Sequence, residues 1–193
     1  YIVSEGGAYK FSTVKGNSSE SVGAVASAEV LWETFGTDVT PNVGDLVKNA
    51  VYSDGCITFQ TAETFREGDA VIAAKDASGT ILWSWHIWLT DQPEEQVYYN
   101  DAGTMMDRNL GALTADVDKP GLNYGLLWQW GRIAPLMGLD ESYSGTPMAS
   151  SPAEVSNEVQ QSESGTNFTI DYAIANPTVF LYGNIGDNGH RFW

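Results

Sequence analysis

Between Ala8 and Leu89 short apolar segments alternate with turn signals, and this rhythm restricts the fold more than any other feature of the chain. Six segments have the β-branched and aromatic character of strands: Ala8 to Val14, Ala28 to Thr34, Leu46 to Tyr52, Cys56 to Thr61, Ala70 to Asp76 and Thr80 to Leu89. Two joints between them are explicit. Tyr52-Ser53-Asp54-Gly55 carries the Asp-Gly pair of a tight hairpin, and Asp76-Ala77-Ser78-Gly79 suits a type I turn closed by a glycine at positive φ. Strands spaced at roughly 8 to 12 residues are the mark of a sandwich. The expected fold is therefore mainly β, with an immunoglobulin-like β-sandwich over residues 1–91.

Ile81-Leu82-Trp83-Ser84-Trp85-His86-Ile87-Trp88 is the densest apolar stretch. Side chains alternate between the faces of a strand, so Trp83, Trp85 and Ile87 share one face and Leu82, Ser84, His86 and Trp88 the other. The first face is expected in the core. The second either packs on the segment that follows or forms an aromatic shelf that stacks sugar rings.

After Thr90-Asp91-Gln92-Pro93-Glu94-Glu95 the spacing becomes irregular, which marks a linker and the start of a smaller α+β module over residues 92–193. Leu126 and Trp130 are four apart, as are Leu127 and Gly131, so Tyr124 to Arg132 is predicted as a short helix with Trp128 and Trp130 in the core. The polar stretch Ala149 to Gly165 reads as a loop, and Phe168 to Ala173 and Thr178 to Tyr182 as two further strands. An end at Gly189-His190-Arg191-Phe192-Trp193, apolar and without a polar tail, suggests a module that is incomplete.

Twenty-five acidic residues against nine basic ones give a net charge of −16, a field that repels phosphate backbones and anionic headgroups. No nucleic-acid partner is expected. The single Cys56 precludes an internal disulfide and any CxxC site, and its place at the start of a strand predicts a buried thiol. No apolar run is long enough for a membrane-spanning helix. A chain that opens on Tyr1-Ile2-Val3 without Met reads as a mature or trimmed fragment of a longer protein.

Marked catalytic patterns are absent: there is no GxSxG elbow, no HExxH and no GxxxxGK[ST] loop. His86 and His190 are the only imidazoles, and His86, set among tryptophans, reads as a packed and hydrogen-bonded side chain. Asn184-Ile185-Gly186-Asp187-Asn188-Gly189 has oxygen ligands and glycines but lacks the spacing of a calcium loop, so it is taken as a turn. No catalytic residue, metal or cofactor is expected. In Asp107-Arg108-Asn109-Leu110-Gly111, the arginine is expected to form a fork with a buried carboxylate and Asn109 with Gly111 a turn.

Three segments together carry a resemblance. Ile81-Leu82-Trp83-Ser84-Trp85-His86-Ile87-Trp88-Leu89-Thr90-Asp91, Met105-Met106-Asp107-Arg108-Asn109-Leu110-Gly111-Ala112 and Tyr124-Gly125-Leu126-Leu127-Trp128-Gln129-Trp130-Gly131-Arg132 resemble the fimbrillin-associated surface lipoproteins of Bacteroidetes-type gut bacteria. In these an immunoglobulin-like stretch precedes a so-called major paralogous domain. The opening Tyr1-Ile2-Val3-Ser4 and the segment Ala70 to Asp76 also fit. The resemblance implies a protein on the extracellular face of the outer membrane, held by a lipid anchor outside this chain. It further implies a role in adhesion or in pili, a C-type-lectin-like second module and no established reaction. The chain departs from the pattern at Ile133-Ala134-Pro135-Leu136, where a basic residue and an Asp-Pro-Phe turn are usual, and it ends before a Cys-Pro-rich closing segment.

The function expected is non-catalytic adhesion or glycan contact, with a glycan or a host or bacterial surface protein as partner. A structural pilus subunit is the alternative, and a carbohydrate-active enzyme the third reading. Because core positions claim the tryptophans, the ligand platform is expected from loop aromatics: Tyr98 and Tyr99 beside Asn100 and Asp101, and Tyr143 in a Ser/Gly-rich loop.

Overall fold

Alternation of large apolar and polar side chains builds seven strands before residue 90. They belong to a computed structural model that describes residues 1–119, 121–129, 131–138, 148–151, 158–161 and 168–182. β1 (Ile2–Val3), β7 (Ile81–Leu89), β6 (Gly68–Lys75) and β3 (Ser27–Thr34) lie side by side in that order. β2 (Ala8–Ser12), β5 (Cys56–Thr61) and β4 (Val47–Ser53) form a second, antiparallel sheet. Within these two sheets only β1 runs parallel to its neighbour, with Ile2 opposite Trp88 and Val3 opposite Leu89. All six segments expected to be strands are strands, with bounds within two residues of those expected. The Asp-Gly joint is a two-residue hairpin loop with both central residues at positive φ, Asp54 at 50° and Gly55 at 77°.

The two sheets share a core. Ala70, Ile72 and Ala74 of β6 with Trp85 and Ile87 of β7 meet Phe11, Ile57 and Phe59 of the second sheet, and the rings of Trp85 and Phe11 are 5.1 Å apart. Trp85 is buried, as the alternation predicts, while Trp83 is half-buried against the same core. Glu33 of β3 points into this interior and is 1% exposed. Its carboxylate accepts the backbone N–H of Gly44, of Leu46 at 2.9 Å and of Val47 at 3.1 Å. One side chain thus ties the first sheet to the chain entering β4.

β6 is buried at every position except Lys75, so its outer face is covered too. The cover comes from residues beyond 91. Trp32 and Val71 pack with Leu126, Met137 and Met148, and the Trp88 indole donates to the Ala112 carbonyl at 3.2 Å. Ser151 closes part of the free edge of β3 by exchanging hydrogen bonds of 3.0 and 2.9 Å with the Glu33 backbone. The remaining described elements are the hairpin of β8 (Glu95–Val97) and β9 (Thr104–Met106), then β10 (Glu158–Gln161), helix α1 (Ile170–Ala175) and β11 (Val179–Tyr182), with β10 and β11 parallel.

Several local expectations are corrected here. Phe168 to Ala173 is not a strand: Thr169 caps α1 by accepting the Tyr172 N–H at 3.1 Å, and Asp171 in the first turn suits the positive helix end. The described part of Tyr124 to Arg132 is not helical. Gly125 and Gly131 stand at φ of 75° and 76°, which breaks the helix, and Leu127 pairs instead with Leu136. A Cβ on Gly125 would lie 2.5 Å from the Leu110 carbonyl oxygen, so this turn requires glycine. Trp128 is consequently 39% exposed rather than in the core, and Trp130 lies outside the described residues. The segment read as a polar loop contains β10, and Cys56 is half-buried rather than buried.

Glu33→Ala leaves two buried amides and one part-buried amide without their acceptor and should lower the unfolding free energy by about 3 kcal/mol. Urea denaturation measures this; a loss below about 1 kcal/mol would make the tie dispensable.

Candidate functional site

β1 is two residues long and covers β7 only at its end. The Tyr1 amine donates to the His86 carbonyl at 2.7 Å, and the N–H groups of Trp88 and Thr90 donate to Tyr1 and Val3 at 2.8 and 3.0 Å. Upstream of His86 the outward edge of β7 has no strand partner among the described residues. An open groove of about 630 Å³ lies there. Its lining includes Tyr1, Ile2, Trp83, Ser84, Trp85, His86, Trp88, Met106, Leu110 and Trp128.

The alternation of β7 sends Ser84, His86 and Trp88 to the outer face of the sheet, beside Ala73, Val71 and Asp69 of β6. Asp69 is fully buried and its Oδ1 is 2.7 Å from His86 Nε2. Burial pushes the Asp69 carboxyl above the usual aspartate range, against the opposing hydrogen bond and charge of His86. The imidazole stacks on Trp88, with centroids 6.3 Å apart, and meets Trp128 edge to face at 5.7 Å. Carboxylate and rings together fix the orientation of the imidazole. The Ser84 hydroxyl and the second Asp69 oxygen, both buried, make no hydrogen bond among the described residues.

This arrangement differs from a hydrolytic one. A serine nucleophile needs its hydroxyl on the base, whereas Ser84 Oγ makes no such bond and the residue is 1% exposed. Hydrolysis of a glycoside by a carboxylate pair needs both acids on the cleft, and no carboxylate lines this one. Among the described residues no three His, Cys, Asp or Glu side chains are grouped to hold a metal, and no helix is long and apolar enough to cross a membrane.

Arg108 fastens the wall of the groove. Its side chain donates from Nε and Nη2 to Asp107 at 2.8 and 2.9 Å, and from Nη1 to Thr90 at 3.2 Å and to Asp91. The fork expected with a buried carboxylate spans instead two acids that are not buried, Asp91 exposed and Asp107 half-buried, and hydrogen bonds from the guanidinium hold both carboxyls below the usual aspartate range. Asn109 and Gly111 form the expected turn, closed by the Ala112 N–H on the Asn109 carbonyl at 3.0 Å. Gln129 and Arg132 act further along. Gln129 bonds both backbone groups of Leu181, and the half-buried Arg132 donates to the carbonyls of Val179 and Asn176, each at 2.7 Å, which anchors β11 and the end of α1.

Tyr98 and Tyr99 occupy the loop of the β8–β9 hairpin, closed by the Tyr98 N–H on the Gly103 carbonyl at 3.1 Å. Both are exposed, Tyr99 fully, yet neither lines the groove, to which this hairpin contributes Met106. Tyr143 lies outside the described residues, as do His190 and the Asn184 to Gly189 turn. Asp69 was not singled out from the sequence. Its only signal is an acid entering an otherwise apolar strand, and its meaning depends on the β6–β7 register, which sets Asp69 opposite Trp88 and Val71 opposite His86.

No protein family, curated protein or solved structure matches this chain.

The raised Asp69 carboxyl has a pH consequence. An acid whose folded pKa lies above its unfolded value contributes stability that is complete below the unfolded value and is lost as pH rises through the folded one. Asp69→Asn removes that loss, so its melting temperature relative to wild type should climb as pH rises above the ordinary aspartate range. Thermal melts of both proteins from about pH 3 to pH 8 test it, and a difference independent of pH contradicts it.

Proposed function

We propose that this chain is a non-catalytic contact module of a bacterial cell-surface protein that binds glycan through the aromatic groove beside β7. The observation that carries this reading is the groove itself: Trp83, Trp128 and Tyr1 offer ring surface, and His86 offers a polar group. Aromatic rings with an apolar body and few fixed polar groups suit the alternating apolar and hydroxylated faces of a sugar. Adhesion on the outer face of the outer membrane, with a lipid anchor outside this chain, follows from the likeness of its three Trp- and Arg-bearing segments to fimbrillin-associated lipoproteins. The division into residues 1–91 and 92–193, with a lectin-like second module, belongs to the same reading. An immunoglobulin-like description of the first part is supported by the strand order β1-β7-β6-β3 against β2-β5-β4, the pairing pattern of a constant-type sandwich whose first strand has joined the opposite sheet.

One observation favours a second reading, that of a structural fibre subunit. Among the described residues the outward edge of β7 upstream of His86 pairs with no strand. An unpaired edge can accept a strand from another chain. Mixing the purified protein with soluble glycans and measuring its self-association separates the two. Binding by the monomer supports the first reading, whereas self-assembly without glycan binding supports the second.

Glycan binding makes opposite demands on two tryptophans. Trp128→Ala should weaken binding about tenfold while costing less than about 2 kcal/mol of stability, because its ring lies partly in solvent. Trp85→Ala should instead cost about 3–5 kcal/mol through the cavity it leaves. Titration calorimetry and urea denaturation give the two readouts, and unchanged affinity in Trp128→Ala would move the ligand away from the groove.

A further inference from the structure

We propose that the β8–β9 hairpin is a docking surface for a cationic protein segment, an extended stretch in which Lys or Arg residues are interspersed with apolar ones. The inference goes beyond the glycan reading and does not depend on the groove beside β7. Every residue of β8 and β9 is exposed, and among the described residues the two strands pair only with each other. A two-stranded hairpin with both faces in water has no core of its own to stabilise it. This one nonetheless carries Val97 at 73% exposure, Met105 at 61%, Tyr98 at 48% and Tyr99 at 99%. With Gln96 opposite Met105 and Val97 opposite Thr104, alternation sends Met105 to one face and Val97 to the other, so apolar surface stands in water on both. An open hollow of about 510 Å³ against the hairpin has Val97, Tyr98, Met105 and Ala115 in its lining. Contiguous apolar surface of this kind marks a site of association.

The kind of partner follows from the charges. Residues 91–118 hold seven acids and one base, Arg108, whose guanidinium is committed to Asp91 and Asp107. The other five, Glu94, Glu95, Asp101, Asp116 and Asp118, are exposed, and among the described residues only Asp116 meets a cation, Lys119 at 3.8 Å. Glu94 and Glu95 open the hairpin, Asp101 lies in its loop, and Asp116 follows the Ala115 that lines the hollow. Acids set among exposed apolar side chains complement a segment that carries both cations and apolar groups, and they repel nucleic acid and anionic headgroups. A second copy would bring a further net charge of −16 and the same acids against this hairpin, so the surface suits a different chain. The outer edges of both strands, unpaired among the described residues, offer backbone groups to an extended segment.

The test titrates this chain with an octapeptide of alternating Lys and Val, beside octapeptides of alternating Lys and Ser and of alternating Glu and Val. Wild type should bind the Lys-Val peptide, should bind the Lys-Ser peptide at least about fivefold more weakly because the apolar contact is gone, and should not bind the Glu-Val peptide. Tyr99→Ser, Met105→Ser and Glu95→Lys should each weaken Lys-Val binding at least about threefold at an unchanged melting temperature, since all three side chains are exposed. Failure of wild type to bind the Lys-Val peptide overturns the proposal. Equal affinity for the Lys-Ser peptide overturns it as well, because the net charge of the chain then accounts for the binding. Affinity unchanged in all three variants overturns the assignment to the hairpin. Self-association in sedimentation that Tyr99→Ser abolishes overturns the assignment to a different chain and makes a second copy the occupant.

Discussion

β6 is buried on both faces, and the remaining layers are arranged to satisfy that constraint. Its inner residues Ala70, Ile72 and Ala74 are covered by the second sheet. Its outer residues Val71 and Ala73 are covered by chain beyond residue 91, with Val71 in one cluster with Leu126, Met137 and Met148. Small and β-branched residues on a central strand allow close approach from both sides, which is why Gly68-Asp69-Ala70-Val71-Ile72-Ala73-Ala74 reads as an unbroken apolar run apart from one acid. That acid has Nε2 of His86 as its polar partner, since a buried carboxylate needs one. Glu33 meets the same need on the inner side by binding backbone amides.

The groove lies along β7, with Trp83, Ser84, His86 and Trp88 among its lining residues. The far wall is held in place by Arg108 through Thr90, Asp91 and Asp107, and by the glycine turns at Gly111 and Gly125 that bring Leu110 and Leu126 together. A Cβ on Gly111 would lie 2.5 Å from Leu126 Cγ, so the segment that closes the groove depends on residues without side chains. Rigid elements thus surround an aromatic surface that is itself only partly buried.

Legibility in the sequence followed the range of the interactions concerned. The strands before residue 90 were readable because alternation and turn chemistry act between near neighbours, as the Asp54-Gly55 hairpin illustrates. The helix at Ile170–Ala175 carried its own markers, Thr169 and Asp171, but the alternation of Phe168, Ile170 and Tyr172 suggested a strand. Over Tyr124 to Arg132 the apolar spacing suggested a helix, and the backbone of the two glycines prevailed. Among the candidate ligand residues, exposure was foreseeable for Tyr98 and Tyr99, since they sit in a loop, but their separation from the groove was not.

By itself the sequence determined a mainly β chain, the bounds of its first strands, which face of β7 enters the core, and that Arg108 meets a carboxylate. These depend on periodicity and on side-chain chemistry, which are local. Only the tertiary structure decided that Asp69 meets His86, that Ser84 is buried without a partner, and that Trp128 turns toward solvent beside them. Those outcomes depend on strand register and on which distant segment covers the sheet, and a register shift of one residue sends every side chain of a strand to its opposite face.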